Sequence, residues 1–192
     1  MRELLKIVLF SMVFFVILIS CKSRQDDARI IEKFYEGFNL GNYTLLSEII
    51  SDTVEMTEME YVLAANKQEV YRFFQWDSVF EPTYKILDIV QNHSGCMVKV
   101  SKTCKRIEFL HDSVIIYMVN FEIDNNAVSR VSIVDYIQMN FEKWMSQRDA
   151  LIEWIRLNHS ELAGFENNIT SKGARDFLSA IDLYRRNRNP SQ

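Results

Sequence analysis

Residues 114–141 read VIIYMVNFEIDNNAVSRVSIVDYIQMNF. Ile115, Tyr117, Val119, Phe121 and Ile123 recur with period two, the spacing of side chains on one face of a strand. Asp124-Asn125-Asn126 is a hairpin turn signal. Beyond it Val131, Ile133, Ile137, Met139 and Phe141 share one face of a second strand, and Arg130, Ser132, Gln138, Asn140 and Glu142 share the other. Strands apolar on one side predict a curved antiparallel sheet with that side covered. Asp135 falls in the apolar register, between Ile133 and Ile137. A carboxylate there is costly to bury as an ion unless it is paired. Desolvation would raise its pKa, which suits a general base or a ligand anchor near neutrality. A hydrogen bond to a neighbouring Tyr, Trp or Arg, or a β-bulge that turns it out to solvent, is the alternative.

Upstream, residues 83–91 read as one strand and Gly95–Ile107 as the next, with a turn at His111-Asp112-Ser113. The helix before them opens at Asn66, with Glu69 three residues on as in a capping box, and ends by Pro82. It carries Val70, Tyr71, Phe73, Phe74, Trp76 and Phe80, so it covers the sheet with aromatic rings. Residues 53–63 predict a strand. Residues 27–40 predict an amphipathic helix with Ile30, Ile31, Phe34, Tyr35 and Phe38 inward, stopped by Gly41, and a second short helix over Tyr43–Ile50. Downstream, Ser146 and Asp149 form a capping box for a helix to Leu157, and a linker leads to a last helix, Gly173–Arg186. Arg185, Arg186 and Arg188 suit its C-terminus.

The N-terminus is an address. Arg2 and Lys6 precede a run from Ile7 to Ile19 in which Ser11 is the sole polar residue. That is the layout of a secretory signal peptide. A permanent transmembrane helix is the rival, but this run rises only about 20 Å against roughly 30 Å of hydrocarbon. Leu18-Ile19-Ser20-Cys21 resembles the lipobox of bacterial lipoproteins. The resemblance implies cleavage before Cys21 and acyl chains on it, giving firm attachment to a membrane. Residues 1–20 are then a signal peptide, and the polar stretch 21–26 a tether. The chain would sit in a bacterial cell envelope, on the periplasmic side or the cell surface.

Composition narrows the rest. The chain has 192 residues, 48% hydrophobic and 12% aromatic, with only 5 Gly and 2 Pro, which excludes disorder and low complexity. A formal charge of −4 gives no reason to expect nucleic acid as a partner. No Gly-rich phosphate loop, nucleophile elbow or zinc-type His/Cys spacing exists, so nothing calls for a metal or cofactor. Cys96 and Cys104 flank a strand-like segment too long to bridge, and read as two unpaired thiols unless a hairpin brings them together.

The order helix, helix, strand, aromatic helix, antiparallel meander resembles the nuclear transport factor 2-like fold. It covers residues 27–141, with Phe34-Tyr35, Gly41-Asn42 and Lys67 through Phe74 as local echoes. The segment 142–188 is a C-terminal helical extension. Its Trp154-Ile155, Asn158 to Leu162, Gly164-Phe165, Gly173-Ala174-Arg175, Ala180-Ile181 and Tyr184 resemble the tail of uncharacterised Bacteroidetes-type lipoproteins with this fold. The resemblance implies an α+β architecture, a bent sheet around a conical cavity, and often a homodimer. It implies no reaction, because the fold hosts isomerases, dehydratases, cyclases and plain binding domains. Tyr117, Trp76 and Tyr61, with Asp135, form the candidate ligand pocket. The expected role is binding of a small apolar ligand or a protein partner. The alternatives are a cofactor-free isomerase or dehydratase with Asp135 as base, and a structural module whose cavity its own side chains fill.

Overall fold

A computed structural model describes residues 26–91 and 95–188. The signal peptide, Cys21 and most of the tether lie outside the described residues, as does His93. Helix α1 spans residues 26–39, α2 Tyr43–Ser47 and α3 Lys67–Ser78. Strands β1 (Ile50–Glu58) and β2 (Tyr61–Ala64) form a hairpin before α3. Then come β3 (Thr83–Gln91), β4 (Gly95–Thr103), the short helix α4 (Lys105–Leu110), β5 (Ile115–Asp124) and β6 (Ala127–Gln138). Helix α5 (Phe141–Asn158), two 3-10 turns and α6 (Ser171–Arg188) complete the chain. The six strands form one sheet in the order β2-β1-β6-β5-β4-β3, antiparallel except for the β1–β6 pair.

The period-two reading of β5 is realised: Ile115, Tyr117, Val119 and Phe121 are buried, and α1 lies on them. Phe34 meets Phe121 edge-on at 5.3 Å, and Phe38 packs on Phe74 of α3 at 5.4 Å. Asn39, at the end of α1, locks that helix to the sheet edge. Its side chain donates to the Tyr84 carbonyl at 2.9 Å and accepts from the Tyr84 amide at 2.7 Å. Asn66 caps α3 as the spacing predicts, accepting from the Glu69 amide at 3.0 Å. Glu69 reaches back to the Ala65 amide at 2.9 Å, one residue earlier than a standard capping box.

Four boundaries depart from the sequence reading. Residues 53–63 are two strands, because Met59 turns the chain at φ 53°. The second helix ends at Ser47, and Ile50 already pairs with Val128. The strand expected to reach Ile107 stops at Thr103. Cys104 then caps α4 through its sulfur, which accepts from the Ile107 amide at 3.5 Å. Cys104 and Cys96 are both buried and free. Helix α5 starts at Phe141 because Asn140 accepts from the Lys143 amide at 2.9 Å, so Ser146 lies inside the helix and caps nothing.

His111 fixes the junction between α4 and α5. It is 5% exposed, its Nε2 accepts from the Asn140 amide at 2.7 Å, and its Nδ1 meets the Ser113 hydroxyl at 2.8 Å. His111→Ala would leave the Asn140 N–H without its acceptor, and should cost about 1–3 kcal/mol in a urea titration. His111→Gln, which keeps an acceptor in reach, should cost less.

Helix α6 shares the core of the sheet domain. Its Phe177 meets Phe80 at 5.8 Å and Phe165 at 4.8 Å, and its Tyr184 meets Phe109 of α4 at 5.9 Å. Among the described residues, no helix is long and apolar enough to cross a membrane.

Candidate functional site

The concave face of the sheet does not close on the helices. Between them lies a cavity of about 730 Å³. Phe34, Tyr35 and Phe38 of α1 and Tyr117 and Val119 of β5 form its floor. Its rim is apolar and wet: Tyr61, Phe141, Met145 and Ile169 line it and are each at least 43% exposed. The α5 residues Trp144, Met145 and Arg148, with Glu166 and Ile169 ahead of α6, build a further wall.

Of the pocket residues read from sequence, three meet here. Tyr117 is buried in the floor, Trp76 sits on the wall, and Tyr61 stands at the rim, 76% exposed. Asp135 is not among them. It is exposed on the outer side of β6. Strand β6 carries an extra residue against β5 in three places, and one shift lies between the pairs Met118–Asp135 and Val119–Ile133. Each bulge reverses the alternation of faces. Ile133 and Tyr136 therefore point inward, while Val134, Asp135 and Ile137 face solvent. The bulge alternative holds, and the cavity base assigned to Asp135 is lost.

The charged groups at the cavity came instead from positions that sequence reasoning passed over. Lys102 of β4 pairs with Asp77 of α3 at 2.6 Å, with 9% and 1% of their side chains exposed. Tyr84, opposite Lys102 on β3, donates its hydroxyl to the other Asp77 oxygen at 2.6 Å. The Lys102 ammonium lies 4.7 Å above the Tyr84 ring. Asp77 shows no signal in the sequence beyond its place on an aromatic helix. Lys102 does: it follows the alternation of Val98 and Val100 into the buried row.

Two further groups stand at the wall. Glu58, at the end of β1, accepts from the Tyr136 hydroxyl. Burial and that carboxylate hold the Tyr136 phenol well above the ordinary range, with the Arg106 charge pulling the other way. Burial also pushes the Tyr35, Tyr84 and Tyr117 phenols up, so all stay protonated hydroxyls. Arg106 of α4 is held in an aromatic cage, its guanidinium 4.6 Å from the Trp76 ring centre and 5.4 Å from those of Phe80 and Trp144. Cation–π contact stabilises it there. No group of three or more His, Cys, Asp or Glu placed to hold a metal exists among the described residues.

Among the solved structures similar to this chain are these three. Bal32a, from a soil-derived mobile gene cassette, has a TM-score of 0.51 at 14% identity, over 64% of this chain and 96% of that one. A protein assigned as a ketosteroid isomerase from Kribbella flavida has a TM-score of 0.50 at 14% identity, over 60% and 81%. A nuclear transport factor 2-like protein of unknown function from Cytophaga hutchinsonii has a TM-score of 0.46 at 6% identity, over 57% and 88%. No family model matches the chain. No curated protein matches it in sequence. At these identities the likeness carries the fold and nothing of the reaction. The chain has the nuclear transport factor 2-like α+β fold, with a six-stranded curved mixed sheet.

Proposed function

We propose that this chain is a membrane-anchored binding protein that takes a small, largely apolar molecule into the cavity of its sheet. The cavity itself carries the reading. A volume of about 730 Å³ left open among so many aromatic side chains is of the size small-molecule sites have. A module filled by its own side chains would have closed it, since interiors pack to crystal-like density. The apolar rim of Tyr61, Phe141 and Ile169 gives an apolar molecule a route in. Attachment through lipid on Cys21 rests on Leu18-Ile19-Ser20-Cys21 after the apolar run.

The isomerase-type alternative has lost its base with Asp135. Glu58 is the carboxylate still at the wall beside a phenol, and its bond to Tyr136 occupies one oxygen.

Native mass spectrometry of the full chain, released from detergent, tests the binding reading. The expected result is added mass on the folded protein beyond that of the anchor, lost when the protein is denatured. Trp76→Arg, which drives a charge into the wall, should abolish that mass, with far-ultraviolet circular dichroism checking that the variant is folded. A bare wild-type mass after exposure to a membrane extract would count against the reading.

A further inference from the structure

Resting on the binding reading, we infer that Arg106 is the anchor of the site and that the ligand carries a single carboxylate on an otherwise apolar body.

Three observations converge on Arg106. It lines the cavity. It has no ion pair among the described residues, whereas the other cations at the wall do: Lys102 with Asp77 at 2.6 Å and Arg148 with Asp149 at 2.8 Å. Its Nε is buried with no hydrogen-bond partner. A buried charged donor without an acceptor is costly, and an aromatic cage supplies no acceptor. The cage does fix the plane of the guanidinium. A fixed, planar fork of N–H donors matches a carboxylate in two parallel hydrogen bonds, and Arg suits this geometry better than Lys does.

The surroundings set the charge and the body of the ligand. Glu58 and Glu166 both line the cavity, so a dianion such as a phosphate monoester would meet two carboxylates. A monoanion meets less repulsion and keeps the match to Arg106. Glu166, also in the lining, has its Oε2 buried with no partner. The floor of Phe34, Phe38 and Val119 is apolar, with the Tyr35 and Tyr117 rings beside them, so the remainder of the molecule is largely apolar.

Calorimetric titration of the full chain at one fixed detergent concentration tests this, with 2-naphthoate and the uncharged 2-naphthamide as probes. Wild type should bind the acid at least tenfold more tightly than the amide. Arg106→Gln should erase that preference and leave amide binding within about twofold. Arg106→Lys should keep part of it, since the charge stays while the fork is lost, and it carries the test if the Gln variant fails to fold. Equal binding of both probes to wild type, or an unchanged preference in a folded Arg106→Gln protein, would overturn the anchor while the cavity reading stands. Failure of both probes to bind wild type below millimolar concentration would overturn the cavity reading and the anchor with it.

Discussion

Lys102→Met should destabilise the protein by roughly 3–5 kcal/mol, the cost of leaving one buried charge without its partner. The midpoint of thermal unfolding should fall on the order of 10 °C for a chain of this size. Asp77 would keep the Tyr84 hydroxyl, but a neutral donor does not balance a carboxylate that is 1% exposed. Asp77→Leu should cost a similar amount, because it strands the Lys102 ammonium instead. Combining Lys102→Met with Asp77→Leu should recover much of the loss, since a buried pair is often no better than apolar groups of like volume. Urea titrations would read the three variants, with the slope checked for constancy. A single variant costing under about 1 kcal/mol would mean that the pair is wet and exchangeable, as surface pairs are.

This pair shows where reading residues in order reaches its limit. β5 was legible because its alternation is unbroken and its register against β4 is regular from Gly95 to Lys102. The cap at Asn66 was legible because capping depends on residues three apart. β6 was not, since a bulge is decided by how two strands twist together and leaves no mark in one strand's pattern. Asp135 was singled out by extending a period of two through a place where the structure breaks it. Asp77 and Lys102 were missed for the opposite reason. Asp77 looks like an ordinary charged residue, and Lys102, though it keeps the buried alternation of β4, shows no partner until the packing of α3 on the sheet brings the two within 2.6 Å. The aromatic content of the wall, in contrast, followed from local spacing, and Trp76, Tyr117 and Tyr61 do line one cavity.

The C-terminal helices bear on the shape of the cavity. Solved relatives of this fold are covered over 81% or more of their own length, while 60–64% of this chain is covered by the two with the higher scores. The cavity wall nevertheless includes Trp144 and Arg148 of α5 and Glu166 beyond it. Trp144 packs on the Arg106 guanidinium at 5.4 Å. The sheet sets the depth of the cavity, and α5 with the turns before α6 sets its mouth.

The same buried hydroxyls make the fold sensitive to base. Tyr35, Tyr84, Tyr117 and Tyr136 are all raised above the ordinary phenol value of 10.0, in each case mainly by burial. Below about pH 10 these groups are protonated in both folded and unfolded chains, and pH has no purchase on stability through them. Above it the unfolded chain releases their protons and the folded chain does not, so the unfolded state binds fewer protons and stability falls as pH rises. Each group contributes up to about 1.36 kcal/mol per pH unit, so the four together approach about 5 kcal/mol per unit. A domain of ordinary stability, about 5–15 kcal/mol, should then unfold within a few pH units of 10. Tyrosinate absorbance from these rings should appear in one cooperative step together with loss of the far-ultraviolet circular dichroism. Tyr117→Phe should reduce the slope by about a quarter, since one of four proton-retaining groups is gone. Gradual ionisation of every tyrosine with the fold intact would show that water reaches the cavity floor. A Tyr117→Phe slope equal to that of wild type would place its phenol in the wet part of the cavity, where Tyr61 already stands.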